Sequence, residues 1–166
     1  MEVQDDFTAY VGAHWPRLVR SAVLLGCSPT EAEDVVQSAL ERCLLHWRRV
    51  VAASDRDAYV HRVLINTFTS ARRRRWTGER PTADVPDDAV TDQTPGVDDA
   101  DAVMRALGRL SADQRAAVVL RYYVDLGEHQ MATVLGVAPG TVKSRLARAL
   151  EVLAEDPALG ELRGAP

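Results

Sequence analysis

LGEHQMATVLGVAPGTVKSRLARAL, residues 126–150, decides the fold of the C-terminal half of this chain. Two short segments with helical spacing of apolar residues flank Gly136, which stands where a turn between helices needs positive φ. Ala132 is small where the two helices would cross, and Val137 and Val142 are placed to fill the angle between them. This spacing predicts a helix-turn-helix.

The second helix of this motif is predicted to turn a basic face outward. At about 100° per residue, its buried stripe consists of Val142, Leu146, Ala149, Leu150 and Leu153. The candidate DNA contacts opposite or beside that stripe are Thr141, Lys143, Ser144, Arg145 and Arg148. Arg and Lys can bind guanine edges or phosphates, so we expect this helix to enter the major groove. The alternative is the solvated face of an ordinary amphipathic helix.

Composition excludes several classes of protein. With 166 residues and a formal net charge of −4, the chain suits one or two small domains. Cys27, Cys43 and His46 lack a paired metal-binding spacing, so we expect core cysteines and neither metal nor cofactor. The chain carries no catalytic constellation, so no enzyme is expected. Without a signal-peptide pattern or a long apolar run, it is predicted to be cytoplasmic and not inserted in a membrane.

A Pro-, Gly- and Asp-containing segment divides the chain. Residues 82–100 carry six Asp and no Lys or Arg. We interpret 77–97 as a flexible acidic linker between helical blocks at 5–76 and 98–155, with a flexible tail at 156–166. The predicted fold is therefore all-α, with two small helical domains.

Three helices are predicted in the first block. The first contains Pro16, which predicts a kink or the start of a second helix. Residues 28–31, SPTE, form a capping box that begins the next helix, which Arg48 and Arg49 would close. The third begins near residues 54–57 and ends in ARRRRW at 71–76. A second capping box, SADQ at 111–114, is predicted in the C-terminal block.

The chain resembles a known family over about residues 7–155. The stretches SPTEAEDVVQSALERCLLHW, DAYVHRVLINTFTSARRRRW and LSADQRAAVVLRYYVDLGEHQMATVLGVAPGTVKSRLARALEVL resemble conserved regions 2 and 4 of sigma factors. The likeness is to the extracytoplasmic-function (ECF) group of the sigma-70 family and is strongest to its SigE-like branch. Each stretch alone is moderately specific, but their order and spacing are highly specific.

The resemblance implies a protein that binds bacterial RNA polymerase core enzyme and directs it to promoter DNA. Family members dock the helix matching EDVVQSAL on the clamp helices of the largest core subunit. The candidate contacts there are Asp34, Gln37, Glu41 and Arg42. Their plainer interpretation is as surface charges of a capped helix. Free members of the family are often compact or held by an anti-sigma factor, and both states stay open for this chain.

The resemblance also implies contact with the −10 element through the third helix. The candidate residues are Arg62, Asn66, Arg72, Arg73, Arg74, Arg75 and Trp76. Asn66 matches an Asn beside the pocket for a flipped base. The arginine run would supply salt-sensitive contacts to the phosphate backbone of DNA. The alternatives are a local hydrogen bond for Asn66 and a solvated helix end for the arginines.

Region 4 would bind the −35 element through the five helix-turn-helix residues named above. Lys143 stands where the family often has Arg and lacks the bidentate fork, so a phosphate contact is expected for it. Gly127 replaces a common Ser but remains an acceptable N-cap. The acidic linker is interpreted either as an imitation of RNA charge or as a plain tether.

Two rival functions remain. One is a DNA-binding regulator of another class, which would leave the capped helix at 28–49 and the arginine run unexplained as a set. The other is a helical adaptor that binds proteins and has no DNA role.

Overall fold

A computed structural model describes residues 2–77 and 97–159, and these residues contain helices and no strand. The N-terminal unit consists of α1 (Glu2–Leu25), α2 (Pro29–Leu45), α3 (Trp47–Ala52) and α4 (Arg56–Thr77). The C-terminal unit consists of α5 (Val97–Gly108), α6 (Ala112–Val118), a π-helical turn (Val119–Tyr123), α7 (Glu128–Leu135) and α8 (Pro139–Ala154). The all-α prediction with two helical units is confirmed. Between its end residues, the predicted linker lies outside the described residues.

Helix α1 runs unbroken through Pro16, so the prediction of a second helix starting there is wrong. Proline removes one backbone hydrogen bond and crowds the preceding turn. Residues on both sides of it, Tyr10 and Leu18, are 5% and 2% exposed. Burial of this continuous apolar face therefore holds the helix together across the proline.

An aromatic cluster forms the core of the N-terminal unit. Trp47 is 2% exposed, and its ring lies edge-on to Phe7 with centroids 5.0 Å apart. Its indole Nε1 donates a hydrogen bond to Asp6 Oδ2 at 2.8 Å. The Tyr10 hydroxyl likewise donates to Asp57 Oδ1 at 2.8 Å. The polar edges of both rings are satisfied, as buried Trp and Tyr require.

The capping box that begins α2 is confirmed. Ser28 Oγ accepts from the Glu31 backbone N–H at 3.3 Å, and Glu31 Oε2 accepts from the Ser28 N–H at 3.1 Å. The predicted end of α2 is wrong, because Arg48 and Arg49 lie in the separate helix α3. His46, at φ −125° and ψ 25°, interrupts the helix and lets Trp47 turn into the core.

The second capping box is also confirmed, with Ser111 and Gln114 making the reciprocal hydrogen bonds that begin α6. Both cysteines, Cys27 and Cys43, are free and buried, as predicted for core positions. Asp156, in the segment predicted as a flexible tail, accepts an ion-paired hydrogen bond from Arg109 at 3.2 Å. Residues 160–166 lie outside the described residues.

The two units pack against each other, with α7 lying on α4 and with α1 against α6 and the π-helical turn. Arg17 donates to the Val124 carbonyl at 2.9 Å, and Arg115 Nε donates to the Leu24 carbonyl at 2.5 Å. Gln130 Nε2 donates to Asp55 Oδ2 at 2.5 Å. The arrangement places the helix-turn-helix beside the N-terminal unit.

Candidate nucleic-acid interface

The turn of the helix-turn-helix has the predicted backbone. Gly136 ends α7 with φ 66° and ψ 35°, a left-handed conformation that costs a residue with a side chain free energy. Val142 and Ala149 are fully buried and Leu146 is 9% exposed, so this part of the predicted stripe is confirmed. Leu150 was predicted to be buried but is 43% exposed, because it lies at the flank of α8. These contacts hold α8 rigidly on α7.

The outward face of α8 carries polar and basic side chains. Thr141, Lys143, Ser144 and Arg148 are exposed. Lys143 Nζ lies 3.7 Å from Glu128 Oε2, across the helix-turn-helix. Ser144 Oγ donates to the Gly140 carbonyl at 2.8 Å, so its proton is engaged within the first turn while its oxygen can still accept a hydrogen bond. Arg148 has no acidic partner among the described residues.

Arg145 differs from its neighbours. Its side chain is 24% exposed, and Nη2 lies 3.6 Å from Asp113 Oδ2 at the start of α6. A guanidinium held in this way helps to join α6 to α8, and DNA would have to compete with Asp113 for it. Among the predicted −35 contacts, Arg148 is therefore the freest cation and Arg145 the most constrained.

One face of α4 carries the residues predicted to contact the −10 element. Val60, Leu64 and Phe68 are buried, whereas Arg62 and Asn66 are exposed, as the sequence pattern predicted. Arg62 lines a cavity of about 150 Å³ between α4 and α7, which Gln130 and Thr133 also line. Part of this face therefore lies next to the C-terminal unit.

The arginines that end α4 have different surroundings. The Arg72 guanidinium lies 4.9 Å from the centre of the Phe68 ring, a cation–π contact. Arg75 forms an ion pair with Glu31. Arg73 and Arg74 are exposed, and Trp76 at the end is 92% exposed. A large aromatic ring so exposed is available to stack on a base.

Glu31 links the start of α2 to the end of α4. Burial alone would raise the pKa of this carboxyl, but hydrogen bonds from the Ser28 N–H and from Arg75 lower it overall. The carboxylate is thus charged while it caps α2 and pairs with Arg75. A residue predicted only as part of a capping box also neutralises one arginine of the run.

The predicted polymerase contacts occupy one exposed face of α2. Asp34, Gln37, Glu41 and Arg42 are all exposed, and Gln37 Nε2 donates to Glu41 Oε1 at 3.4 Å. A groove of about 210 Å³ between α2 and α4 is lined by Asp34, Arg42 and Arg74, among others. The structure therefore brings two of these residues close to the arginine run.

Sequence reasoning missed the residues that join the two units. Arg17 and Arg115 bind main-chain carbonyl groups, which leave no side-chain signature for a pattern to detect. The contact of Gln130 with the N-terminal unit was also missed. This side chain has a second, local role, because its Oε1 accepts from the Gly127 N–H at 2.8 Å and caps α7. Within residues 2–77 and 97–159, no helix is both long and apolar enough to cross a lipid bilayer.

Comparison with known proteins finds two family regions in this chain, one in each helical unit. A family profile described as Sigma-70 region 2 matches residues 10–77, and one described as Sigma-70, region 4 matches residues 100–153. The RNA polymerase sigma-E factor of Streptomyces avermitilis is 39% identical over 151 residues, which are 91% of this chain and 84% of that relative. The ECF RNA polymerase sigma factor SigL of Mycobacterium tuberculosis is 34% identical, over 84% of this chain and 82% of the relative.

A solved structure shares the fold. The sigma factor RpoE of Bartonella quintana, crystallised in complex with the anti-sigma factor NepR, superposes with a TM-score of 0.67 and 29% identity. The match covers 90% of this chain and 95% of RpoE. Both family regions occur here in the family's order, and close relatives match nearly the whole length. The chain belongs to the sigma-70 family of RNA polymerase sigma factors, within its ECF group.

Proposed function

We propose that this chain binds core RNA polymerase through α2 and directs it to promoters read jointly by α4 and α8. Residues 5–76 act as the polymerase and −10 module, and residues 98–155 act as the −35 module. Residues 77–97 connect the modules, and 156–166 form a tail. The chain supplies specificity, and the polymerase performs the nucleotidyl transfer.

The observation that supports this proposal is that one chain exposes two separate faces with basic, polar and aromatic side chains suited to nucleic acid. Helix α8 offers Thr141, Lys143, Ser144 and Arg148 on a rigid helix-turn-helix. Helix α4 offers Asn66 and an arginine run that ends in the exposed Trp76. A regulator that binds duplex DNA alone needs only the first of these faces. An initiation factor needs both, because it reads a duplex element and an unpaired one.

Each face suits its form of nucleic acid. Arg148 is exposed on a helix of the kind that enters a major groove, where Arg can bind guanine O6 and N7. Asn66 presents an amide donor and acceptor that match the edge of a flipped base, and Trp76 presents a ring for stacking. Arg73 and Arg74 supply charge for the phosphate backbone.

The test is run-off transcription with purified core polymerase and a pool of genomic promoter fragments. We expect new transcripts that begin at discrete sites and require this protein. Asn66→Ala and Arg148→Ala should reduce them, while Arg20→Gln, an exposed arginine of α1 outside both faces, should not. Binding to duplex DNA without any new start site would favour a conventional regulator instead.

We also propose an anti-sigma partner for this chain. The support is the similarity to RpoE, which was crystallised with the anti-sigma factor NepR. Such a partner would hold the chain away from polymerase until a signal releases it. Co-purification of the full chain from its host before and after stress checks this. A partner that binds equally well to the polymerase-bound chain would contradict it.

A further inference from the structure

Three arginines from both units converge on the turn between α1 and α2. Arg72 Nη2 and Arg115 Nη1 lie 2.7 and 3.4 Å from the position that a Cβ on Gly26 would take. Gly26 has φ +121°, so a larger residue there would meet both the strain of this backbone and the two guanidinium groups. Arg72 and Arg75 line a cavity of about 70 Å³ beside Gly26 and Cys27. Arg115 approaches Gly26 from the C-terminal unit but does not line that cavity.

The positive charges at this cavity outnumber the acidic ones. Glu31 is the one carboxylate among the described residues that line it, and Arg75 and the Ser28 N–H already bind that group. Neither Arg72 nor Arg115 forms an ion pair within residues 2–77 and 97–159. The guanidinium groups of Arg72 and Arg115, which come from different units, therefore both approach Gly26 with no negative charge between them.

The thiol of Cys27 does not supply that negative charge. Burial raises the pKa of Cys27 to about 11, although the nearby charges of Arg72, Arg75 and Arg115 act in the opposite direction. Burial, followed by the charge of Arg72, also lowers the pKa of Arg115. Arg115 is thus partly desolvated and lies beside the like charge of Arg72, a pairing that an external anion would stabilise.

The size and geometry of the cavity favour a small oxyanion. A volume of about 70 Å³ is several times the roughly 10–15 Å³ that a cavity needs in order to hold one water, so a small ion has room beside Gly26. Guanidinium groups bind phosphate through paired, charge-assisted hydrogen bonds. Because α4 and α6 belong to different units, an anion between them would contact both.

We propose that a small phosphate anion binds beside Gly26, at the edge of this cavity, between Arg72 and Arg115, and thereby fastens the C-terminal unit to the N-terminal unit. The bound anion occupies Arg72, which is then not available to nucleic acid. The site exists only while the two units are packed together. The proposal does not depend on sigma-factor function, because it concerns the free chain and its anion.

The test follows the Gly26 and Cys27 amide signals of the full chain by NMR while inorganic phosphate is added at constant ionic strength. We expect shifts that saturate. Arg72→Gln and Arg115→Gln should each weaken phosphate binding by about tenfold or more, as expected for loss of a hydrogen bond to a charged group. Arg20→Gln removes the same charge elsewhere on the surface and should change nothing. Shifts that do not saturate, or that persist in Arg72→Gln, would overturn the proposal.

Further variants and ligands test whether the variants stay folded, whether the site needs both units, and whether the bound phosphate is free or part of a nucleotide. Arg72 is exposed, so Arg72→Gln keeps the fold even if Arg115→Gln loses it. Gln130→Ala breaks the contact to Asp55 without touching the cluster, and it should weaken phosphate binding if the site needs both units. Unchanged binding there would overturn the fastening role. Titration with ADP distinguishes the terminal phosphate of a nucleotide from free phosphate. If the chain binds a single-stranded oligonucleotide but neither phosphate nor ADP, the proposed small-anion site is wrong.

Discussion

The N-terminal and C-terminal units are both small helical packings, but different chemistry holds them together. The N-terminal unit encloses an aromatic cluster around Trp47, with polar partners such as Asp6 and Asp57 at the ring edges. The polar side chains buried among the described residues, Ser21, His61 and Thr67, all belong to this unit. The C-terminal unit buries aliphatic side chains and depends on its turns. The stability of the first unit should therefore depend on the aromatic rings and their hydrogen-bond partners. The stability of the second unit should depend on the backbone geometry of its turns.

The largest effect tests the aromatic cluster. Trp47→Ala removes a buried ring together with the indole hydrogen bond to Asp6, so we expect about 3–5 kcal/mol of destabilisation. Urea unfolding measures it. Trp76→Ala is the matched control, because this ring is 92% exposed and its loss should change stability by less than about 0.5 kcal/mol. A loss below about 1 kcal/mol for Trp47→Ala would show that the cluster does not dominate this unit.

The next effect separates the two arginines of α8. Arg148→Ala should weaken binding of the polymerase complex to −35 duplex by about 1–3 kcal/mol without changing thermal stability. Arg145→Ala should cost less binding, because Asp113 already engages that guanidinium, but it should lower the melting temperature of the free chain. Fluorescence anisotropy and thermal unfolding measure the two properties. Equal binding losses with no change in melting temperature would refute this division of roles.

A smaller effect tests the turn of the helix-turn-helix. Gly136→Ala places a side chain at φ 66° and should cost about 1–2 kcal/mol, although no atom lies within 4 Å of the new Cβ. Gly140→Ala also meets no atom within 4 Å but lies in the first turn of α8, so it should be neutral or stabilising. Chemical denaturation compares the pair. Equal effects would mean that φ at Gly136 does not limit the stability of the C-terminal unit.

The smallest effect is a pH dependence confined to the N-terminal unit. Burial lowers the pKa of His61, whose Nδ1 lies 2.8 Å from the Asp57 carbonyl. The unfolded chain, with a His pKa of about 6.5, then binds the proton more readily than the folded chain. The contribution of neutral His61 to the free energy of unfolding is therefore fully present above about pH 6.5. It is lost as the pH falls from there through the pKa of His61 in the folded chain. Urea unfolding between pH 5.5 and 7.5 should show this slope, and His61→Gln should remove it. An unchanged slope in that variant would assign the effect to other groups.

Local signals explain what could be predicted from the sequence. The capping boxes at Ser28 and Ser111 and the turn at Gly136 involve residues within a few positions of each other, so their spacing alone is informative. The inward and outward faces of α4 follow from helical period. The break at His46 was missed because burial of Trp47, a tertiary contact, decides it.

Contacts between the units could not be predicted in the same way. Arg17 and Arg115 bind the carbonyls of Val124 and Leu24, about a hundred positions away along the chain, and any residue type offers a carbonyl. The exposure of Leu150 depends on how far the core of the C-terminal unit extends along α8. The roles of Asn66 and the arginine run in DNA binding rest on family resemblance, and they stay predictions.

The packing of α7 on α4 also limits the distance between α4 and α8. Neighbouring helix axes lie about 8–10 Å apart, so α8, which packs on α7, lies at most about 20 Å from α4 at their closest approach. Promoter elements centred near −10 and −35 are about 25 base pairs apart, which is about 85 Å along a duplex at 3.4 Å per base pair. In this arrangement α4 and α8 lie much closer together than the two elements do. If the chain reads both elements as we propose, its two units must separate, and each hydrogen bond between them opposes that separation.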